Sequence, residues 1–164
     1  MSQTTTYRIA LPDLDSVAAL GQAIAREARV GDILALSGDL GAGKTTLARA
    51  ILTHLGLAEE APSPTFTIVV TYDAPPLRLP VWHVDLYRLE EPEETVELGL
   101  EEAFETALSL IEWPERMGGF LPADRLWLAL APATGGAGRT LTVDVPPAWE
   151  ERAKRLFQPF LSAE

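Results

Sequence analysis

A glycine-rich segment with the pattern Gly-x-x-x-x-Gly-Lys-Thr occupies residues 38–45. This pattern is typical of a phosphate-binding loop, in which backbone N–H groups surround an anion. Glycine allows this close approach because it has no Cβ atom. In such a loop Lys44 reaches the outer phosphates of a nucleotide, and the hydroxyl of Thr45 binds Mg²⁺. The residue types and their spacing therefore predict a site for a nucleotide and Mg²⁺.

The residues on either side of the loop support this interpretation. The apolar run 32–37 predicts a buried strand, and apolar residues recur at helical spacing after the loop as far as Leu55. Gly56 is suited to end that helix. Strand, loop and helix is the order that phosphate binding requires. The alternative is a glycine-rich turn with a solvated lysine; it is disfavoured because the chain has only two lysines, Lys44 and Lys154.

Nucleotide hydrolysis also requires acidic residues near the outer phosphates. The carboxyl ends of strands meet there in open α/β sheets. Asp85 ends one predicted strand, 81–85, and Glu112 ends another within 108–113. Either could contact Mg²⁺ or orient the attacking water, and their types and spacing leave both assignments open. Asp144 is the weakest of the three candidates because it lies in a predicted hairpin strand, and we interpret His83 as structural rather than as a general base.

The order of the predicted elements indicates an α/β fold. Further strands are predicted at 5–10, 65–72, 125–131 and 139–145, the last two joined as a hairpin, and helices at about 14–28 and 149–160. This order predicts a mainly parallel sheet around the phosphate-binding loop, with an antiparallel C-terminal addition. We therefore expect a three-layer sandwich of the P-loop NTPase type, with residues 1–164 as a single domain.

Composition excludes several classes of function. The net charge is −11 and the arginines are scattered, so strong direct binding to nucleic acid is not expected. The absence of cysteine excludes disulfides and is consistent with the cytoplasm. No apolar run is long enough to span a membrane, and the N-terminus does not resemble a secretory signal. A basic protein is a better expected partner than a nucleic acid or a membrane.

An acidic stretch at 90–105 contains eight glutamates and no basic residue. Its pattern predicts two short helices that are separated at Gly99. Charge runs are most often solvated surfaces, and we interpret this stretch as a solvated surface. Its functional alternative is a docking surface for a basic partner.

Four segments in this order resemble one known family. They are Gly38–Thr46, Ser63-Pro-Thr-Phe66, His83-Val-Asp-Leu-Tyr-Arg88 and Glu112-Trp-Pro-Glu115. Together they are similar to the bacterial TsaE family, also called YjeE, over roughly residues 5–130. That family is the small ATPase of tRNA threonylcarbamoyladenosine biosynthesis. Four linked motifs make this resemblance more specific than the phosphate-binding loop alone.

The resemblance implies a role for each matched residue. ATP would lie against Gly38–Thr46, and Mg²⁺ would contact Thr45 and Glu112. Asp85 would lie near the γ-phosphate, orienting water or metal. Thr65 would sense the γ-phosphate as a switch-loop hydroxyl, and Trp113 would lie beside the nucleotide. Lys44, Asp85 and Glu112 are thus the expected catalytic residues, and the ATP contacts would be Gly38, Asp39, Gly41, Ala42, Gly43, Lys44, Thr45, Thr46, Thr65 and Trp113.

The resemblance also implies a partner. Members of the family bind the complex that transfers threonylcarbamoyl to the adenosine beside the anticodon, in tRNAs that read codons starting with A. We therefore expect a slow ATPase that the subunits of this complex stimulate. Two alternatives remain: a small-molecule kinase, disfavoured because the stretch 90–105 is acidic rather than arginine-rich, and a nucleotide-sensing module without catalysis.

Overall fold

The computed structural model describes residues 5–59, 61–62, 68–135 and 137–161. Within these ranges, seven strands form one sheet in the order β1-β7-β6-β2-β5-β4-β3. The strands are β1 Thr5–Leu11, β2 Ile33–Ser37, β3 Val69–Tyr72, β4 Val81–Asp85, β5 Leu108–Glu112, β6 Leu126–Pro132 and β7 Arg139–Val145. The α-helices are α1 Leu14–Glu27, α2 Lys44–Leu55, α3 Leu100–Thr106 and α4 Glu150–Phe157. No helix in the described part of the chain is both long enough and apolar enough to cross a membrane.

The sheet is parallel at its centre and antiparallel at both edges. Strands β6, β2, β5 and β4 run parallel, whereas β7 pairs antiparallel with β6 and with β1. At the other edge β3 pairs antiparallel with β4. The predicted α/β class and antiparallel C-terminal hairpin are confirmed, but the sheet is mixed rather than mainly parallel. The connection between β3 and β4 is too short for the crossover that parallel neighbours need.

Buried side chains on the two faces of the sheet form two hydrophobic clusters. On β2, Leu34 and Leu36 pack into the larger cluster together with α1, α2 and α4, whereas Ile33 joins the smaller one. The smaller cluster lies among β4, β5 and α3. Residues that alternate along a strand point to opposite faces of the sheet, so the central strands are covered on both sides.

The acidic stretch forms two short helices that meet at Gly99, as predicted. The first is a 3₁₀ helix, Pro92–Leu98, and the second is α3. Gly99 has a φ of 72°, in the left-handed region that favours glycine. A second 3₁₀ segment, Pro114–Phe120, follows β5 and packs against the first.

The C-terminal helix packs beside the beginning of β2 and forms an ion pair there. The predicted helix at about 149–160 is confirmed: α4 continues without a gap from one 3₁₀ turn and into another, and Trp149, Ala153 and Leu156 are buried. Arg152 on α4 forms a paired hydrogen bond with Asp32, with N–O distances of 2.7 and 2.8 Å. The guanidinium also stacks 3.7 Å from the ring centre of Trp149. The ion pair thus holds α4 against the residue that precedes β2, the strand that leads into the phosphate-binding loop.

Arg152→Met should lower the free energy of unfolding by about 3–5 kcal/mol, because it leaves Asp32 buried without its charged partner. The matched control is Arg155→Met on the same helix, whose ion pair with Glu27 is exposed, and which should cost at most about 1 kcal/mol. Urea denaturation of both variants measures the difference. Equal losses would show that the Asp32 pair has no special part in holding α4.

Candidate functional site

The loop between β2 and α2 has the backbone geometry that its glycines predict. Gly38, Gly41 and Gly43 have φ values of 143°, 79° and 106°. At Gly38 a Cβ atom would also lie 2.5 Å from the carbonyl oxygen of Leu130. This position therefore requires glycine for both its conformation and its packing.

Lys44, the first residue of α2, lies folded back over this loop. Its Nζ donates to the carbonyl oxygen of Asp39 at 2.9 Å and to that of Gly38, and the side chain is largely buried. Burial lowers the pKa of the Lys44 amine from its usual 10.5, and the carboxylates of Glu112 and Asp85 oppose this shift. The amine is thus a positive charge held among acidic groups at the entrance of the helix.

Glu112, the last residue of β5, joins α2 to the sheet. Its Oε1 accepts a hydrogen bond from the Thr45 hydroxyl at 2.8 Å. Its Oε2 lies 2.6 Å from Nε2 of His83, which we treat as the donor because a carboxylate only accepts. Glu112 is 2% exposed and His83 is fully buried. The interpretation of His83 as structural agrees with this contact, which fixes the carboxylate beside α2.

Asp85 lies next to Glu112 across the sheet. The two residues are register partners at the carboxyl ends of β4 and β5. Asp85 is 5% exposed, and its Oδ1 accepts a hydrogen bond from the backbone N–H of Tyr87 at 2.9 Å. The expected meeting of two carboxylates at the strand ends is therefore present in the structure.

Trp113 covers the site from the side of β5. Its φ of 59° lies in the left-handed region, which is uncommon for a bulky residue. The Lys44 amine lies 4.2 Å from the centre of its ring system, and the ring of Tyr87 packs against it at 5.0 Å. The indole thus lies directly beside the lysine of the phosphate-binding loop.

An open pocket of about 220 Å³ lies over the loop. Its lining brings together most of the predicted site: Leu40, Gly41, Gly43, Lys44, Thr45, Thr46, Asp85, Glu112, Trp113 and Arg139. Gly38, Asp39 and Ala42 lie in the loop itself but do not line the pocket. Thr65 and the Ser-Pro-Thr-Phe motif lie outside the described residues. Asp144, the weakest candidate, is exposed on β7, where it accepts a hydrogen bond from Thr6.

Arg139 is a site residue that the sequence analysis missed. It begins β7, and its guanidinium donates to the loop carbonyls of Ala42 at 2.9 Å and Gly41 at 3.2 Å. Nearly a hundred residues separate it from the loop in sequence. No local pattern marks it, because its position depends on how β7 pairs with β6 and β1.

The donors in the pocket fit a hard divalent cation. Thr45 offers a hydroxyl oxygen, and Glu112 and Asp85 offer carboxylate oxygens. Mg²⁺ is commonly held by one or two carboxylates together with nucleotide phosphates rather than by an all-protein cage. Within the described ranges, no group of three or more His, Cys, Asp or Glu side chains is arranged to hold a metal. The residues present therefore fit a Mg²⁺ shared with a nucleotide.

Comparison with known proteins gives one consistent family. The family model described as "Threonylcarbamoyl adenosine biosynthesis protein TsaE" matches residues 11–141. A protein of Bacillus subtilis (strain 168) named "tRNA threonylcarbamoyladenosine biosynthesis protein TsaE" is 40% identical over 113 residues, which cover 68% of this chain and 69% of the relative. A protein of the same name from Rickettsia bellii is 44% identical over 102 residues, or 62% of this chain and 69% of the relative.

The fold has a solved counterpart. The crystal structure of YdiB from Bacillus subtilis matches this chain with a TM-score of 0.76 at 30% identity. The match covers 97% of each chain, so it includes the region after residue 130, where the sequence motifs end.

Because burial lowers the pKa of Lys44 and Glu112 opposes the shift, the Lys44 amine should titrate below 10.5, and at still lower pH in Glu112→Gln. Carbon-13 labelling of lysine Cε followed by NMR measures this directly, since Lys154 is the only other lysine to be assigned. An unchanged or raised midpoint in Glu112→Gln would contradict the close approach of the two groups.

Proposed function

Since the chain belongs to the TsaE family, we propose that it is a Mg²⁺-dependent ATPase of tRNA threonylcarbamoyladenosine biosynthesis. It acts by ATP binding and hydrolysis on the complex that transfers threonylcarbamoyl to the adenosine next to the anticodon, in tRNAs that read A-starting codons. The observation that carries this proposal is the convergence of Thr45, Glu112 and Asp85 on one phosphate-binding loop.

ATP binding follows from the loop and its two cations. The backbone of residues 38–46 surrounds the phosphates at the N-terminus of α2, where the helix dipole favours negative charge. Lys44 would exchange the carbonyls of Gly38 and Asp39 for the charged outer phosphates. Arg139, which lies against Gly41 and Ala42, adds a second positive charge at the pocket. Trp113 packs beside the bound nucleotide.

Thr45 and Glu112 are the proposed Mg²⁺ contacts, and Asp85 is adjacent to them. Mg²⁺, when bound, neutralises charge on the outer phosphates during transfer. His83 serves as a positioning residue: by donating to Oε2 of Glu112, it leaves Oε1 directed to the side of Thr45. Loss of such an outer hydrogen bond commonly weakens metal binding by about 10- to 100-fold.

Hydrolysis requires a water that is aimed at the γ-phosphate. Asp85 is our candidate for orienting it, since this carboxylate lies on the lining of the pocket at the end of β4. Thr65 is proposed as the hydroxyl that senses the γ-phosphate. Turnover is expected to be slow in the isolated chain, because the pocket is open to solvent. A partner that closes the pocket would raise the rate.

The remaining parts of the proposal concern the whole chain. Residues 1–164 act as one domain of the P-loop NTPase type, with helical layers on both faces of the sheet. The activity takes place in the cytoplasm, and contact with tRNA is made by the partner complex, because a net charge of −11 disfavours binding to the phosphate backbone.

The purified chain should hydrolyse ATP slowly, and the rate should rise when the threonylcarbamoyl-transferase complex is added. Asp85→Asn should lower the stimulated rate by about 100-fold or more while ATP binding persists. Asp144→Asn is the matched control, an exposed carboxylate at a strand position outside the pocket, and should leave the rate unchanged. Phosphate release and ATP titration measure the two quantities. Fast turnover without the complex, or full activity in Asp85→Asn, would contradict the proposal.

A further inference from the structure

One face of the protein combines exposed apolar side chains with a dense group of glutamates. It is formed by the 3₁₀ helix Pro92–Leu98, helix α3 and the 3₁₀ segment Pro114–Phe120, and we call it the acidic face. The two 3₁₀ segments pack against each other, so the face is continuous. The proposed ATPase function makes no use of it.

A small, mainly apolar groove of about 40 Å³ lies in this face. Val96 and Phe120 stand at its surface, 61% and 46% exposed, and Phe104, Leu100 and Met117 lie between them. Large apolar side chains grouped at the surface and rimmed by polar residues typically mark an interaction site.

The rim of the acidic face is strongly negative and uncompensated. Glu101 lines the groove, and eight exposed glutamates lie on the two helices of this face or directly before them: Glu90, Glu91, Glu93, Glu94, Glu97, Glu101, Glu102 and Glu105. Among the described residues, none of these eight forms an ion pair with a basic side chain. No lysine or arginine occurs between residues 90 and 105, so this stretch alone has a net charge of −8, against −11 for the whole chain.

We propose that the acidic face docks a basic amphipathic segment of the partner complex, with apolar anchors in the groove and Lys or Arg side chains over the glutamates. The negative charge of the acidic face favours a basic partner. Like charges across an interface are costly, which disfavours a second copy of this face, and phosphate backbones are repelled for the same reason. An amphipathic segment in an apolar groove is a recurrent mode of protein recognition. The inference rests on the proposed function in one respect, because that function names the complex.

The acidic face is joined to the nucleotide site by a short, ordered piece of chain. The segment Pro114–Phe120 begins directly after Trp113 and carries Met117 and Phe120 into the groove. At its start Glu115 accepts a hydrogen bond from Ser37, the last residue before the phosphate-binding loop, at 3.0 Å. A partner segment bound in the groove would therefore contact a segment that is hydrogen-bonded to the chain at the proposed ATP site.

The test measures binding of the purified transferase complex by biolayer interferometry. The double variants Glu97→Lys with Glu101→Lys, and Val96→Ser with Phe120→Ser, should each weaken binding by about tenfold or more. Binding of the wild-type chain should also weaken as salt rises, because the rim charges are exposed. Basal ATP binding should be unchanged in both variants, which shows that they are folded.

Matched controls lie on other parts of the surface. Glu150→Lys with Glu151→Lys reverses two exposed glutamates on α4, and Leu14→Ser removes an apolar side chain that is 73% exposed. Both should bind the complex as the wild type does. Wild-type affinity in the two acidic-face variants, or equal losses in the controls, would overturn the proposal.

A second probe separates this proposal from the proposed function. If the wild-type chain does not bind the complex at all, the named partner is wrong. Binding to the acidic face is then tested by NMR with a synthetic Lys/Leu amphipathic peptide. NMR shifts confined to residues 92–106 and 114–120, and absent with a Glu/Leu peptide, would support the docking surface. Shifts spread over the whole protein, or no shifts, would overturn it.

Discussion

The site depends on the buried carboxylate of Glu112. A charge removed from water must be compensated by hydrogen bonds or opposite charges, and Glu112 has Thr45 on one oxygen and His83 on the other. These two partners come from helix α2 and from strand β4, so one side chain ties the phosphate-binding helix to the sheet. Its negative charge also keeps the buried amine of Lys44 protonated to higher pH than burial alone would allow.

The chain that follows Glu112 connects the pocket to the acidic face. Directly after Glu112 the chain turns through the left-handed conformation at Trp113 and enters the segment Pro114–Phe120. Through Glu115 this segment contacts Ser37, and through Met117 it reaches the groove of the acidic face. The proposed nucleotide site and the proposed docking surface are therefore two ends of one short stretch of chain.

Local features were predictable from the sequence, and features set by strand pairing were not. The glycine-rich loop between β2 and α2, the helix end at Gly56 and the break at Gly99 were predicted because neighbouring residues determine them. The mixed sheet, the place of Arg139 beside the loop and the ion pair of Arg152 with Asp32 depend on residues far apart in sequence. The expectation that Asp85 and Glu112 meet is confirmed because parallel strands end at the same edge of a sheet. Their hydrogen-bond partners could not be predicted, because these depend on the exact register of the strands.

We propose that Thr45 and Glu112 hold one Mg²⁺ together with ATP. The most direct measurement is a double-mutant cycle on the gain in ATP affinity that Mg²⁺ produces, using Thr45→Val, Glu112→Gln and the double variant. Each single variant should reduce that gain by about tenfold or more, and the double variant should lose little beyond the worse single variant, since both act on one ion. A gain from Mg²⁺ that is the same in the wild type and all three variants would show that Thr45 and Glu112 do not hold the ion.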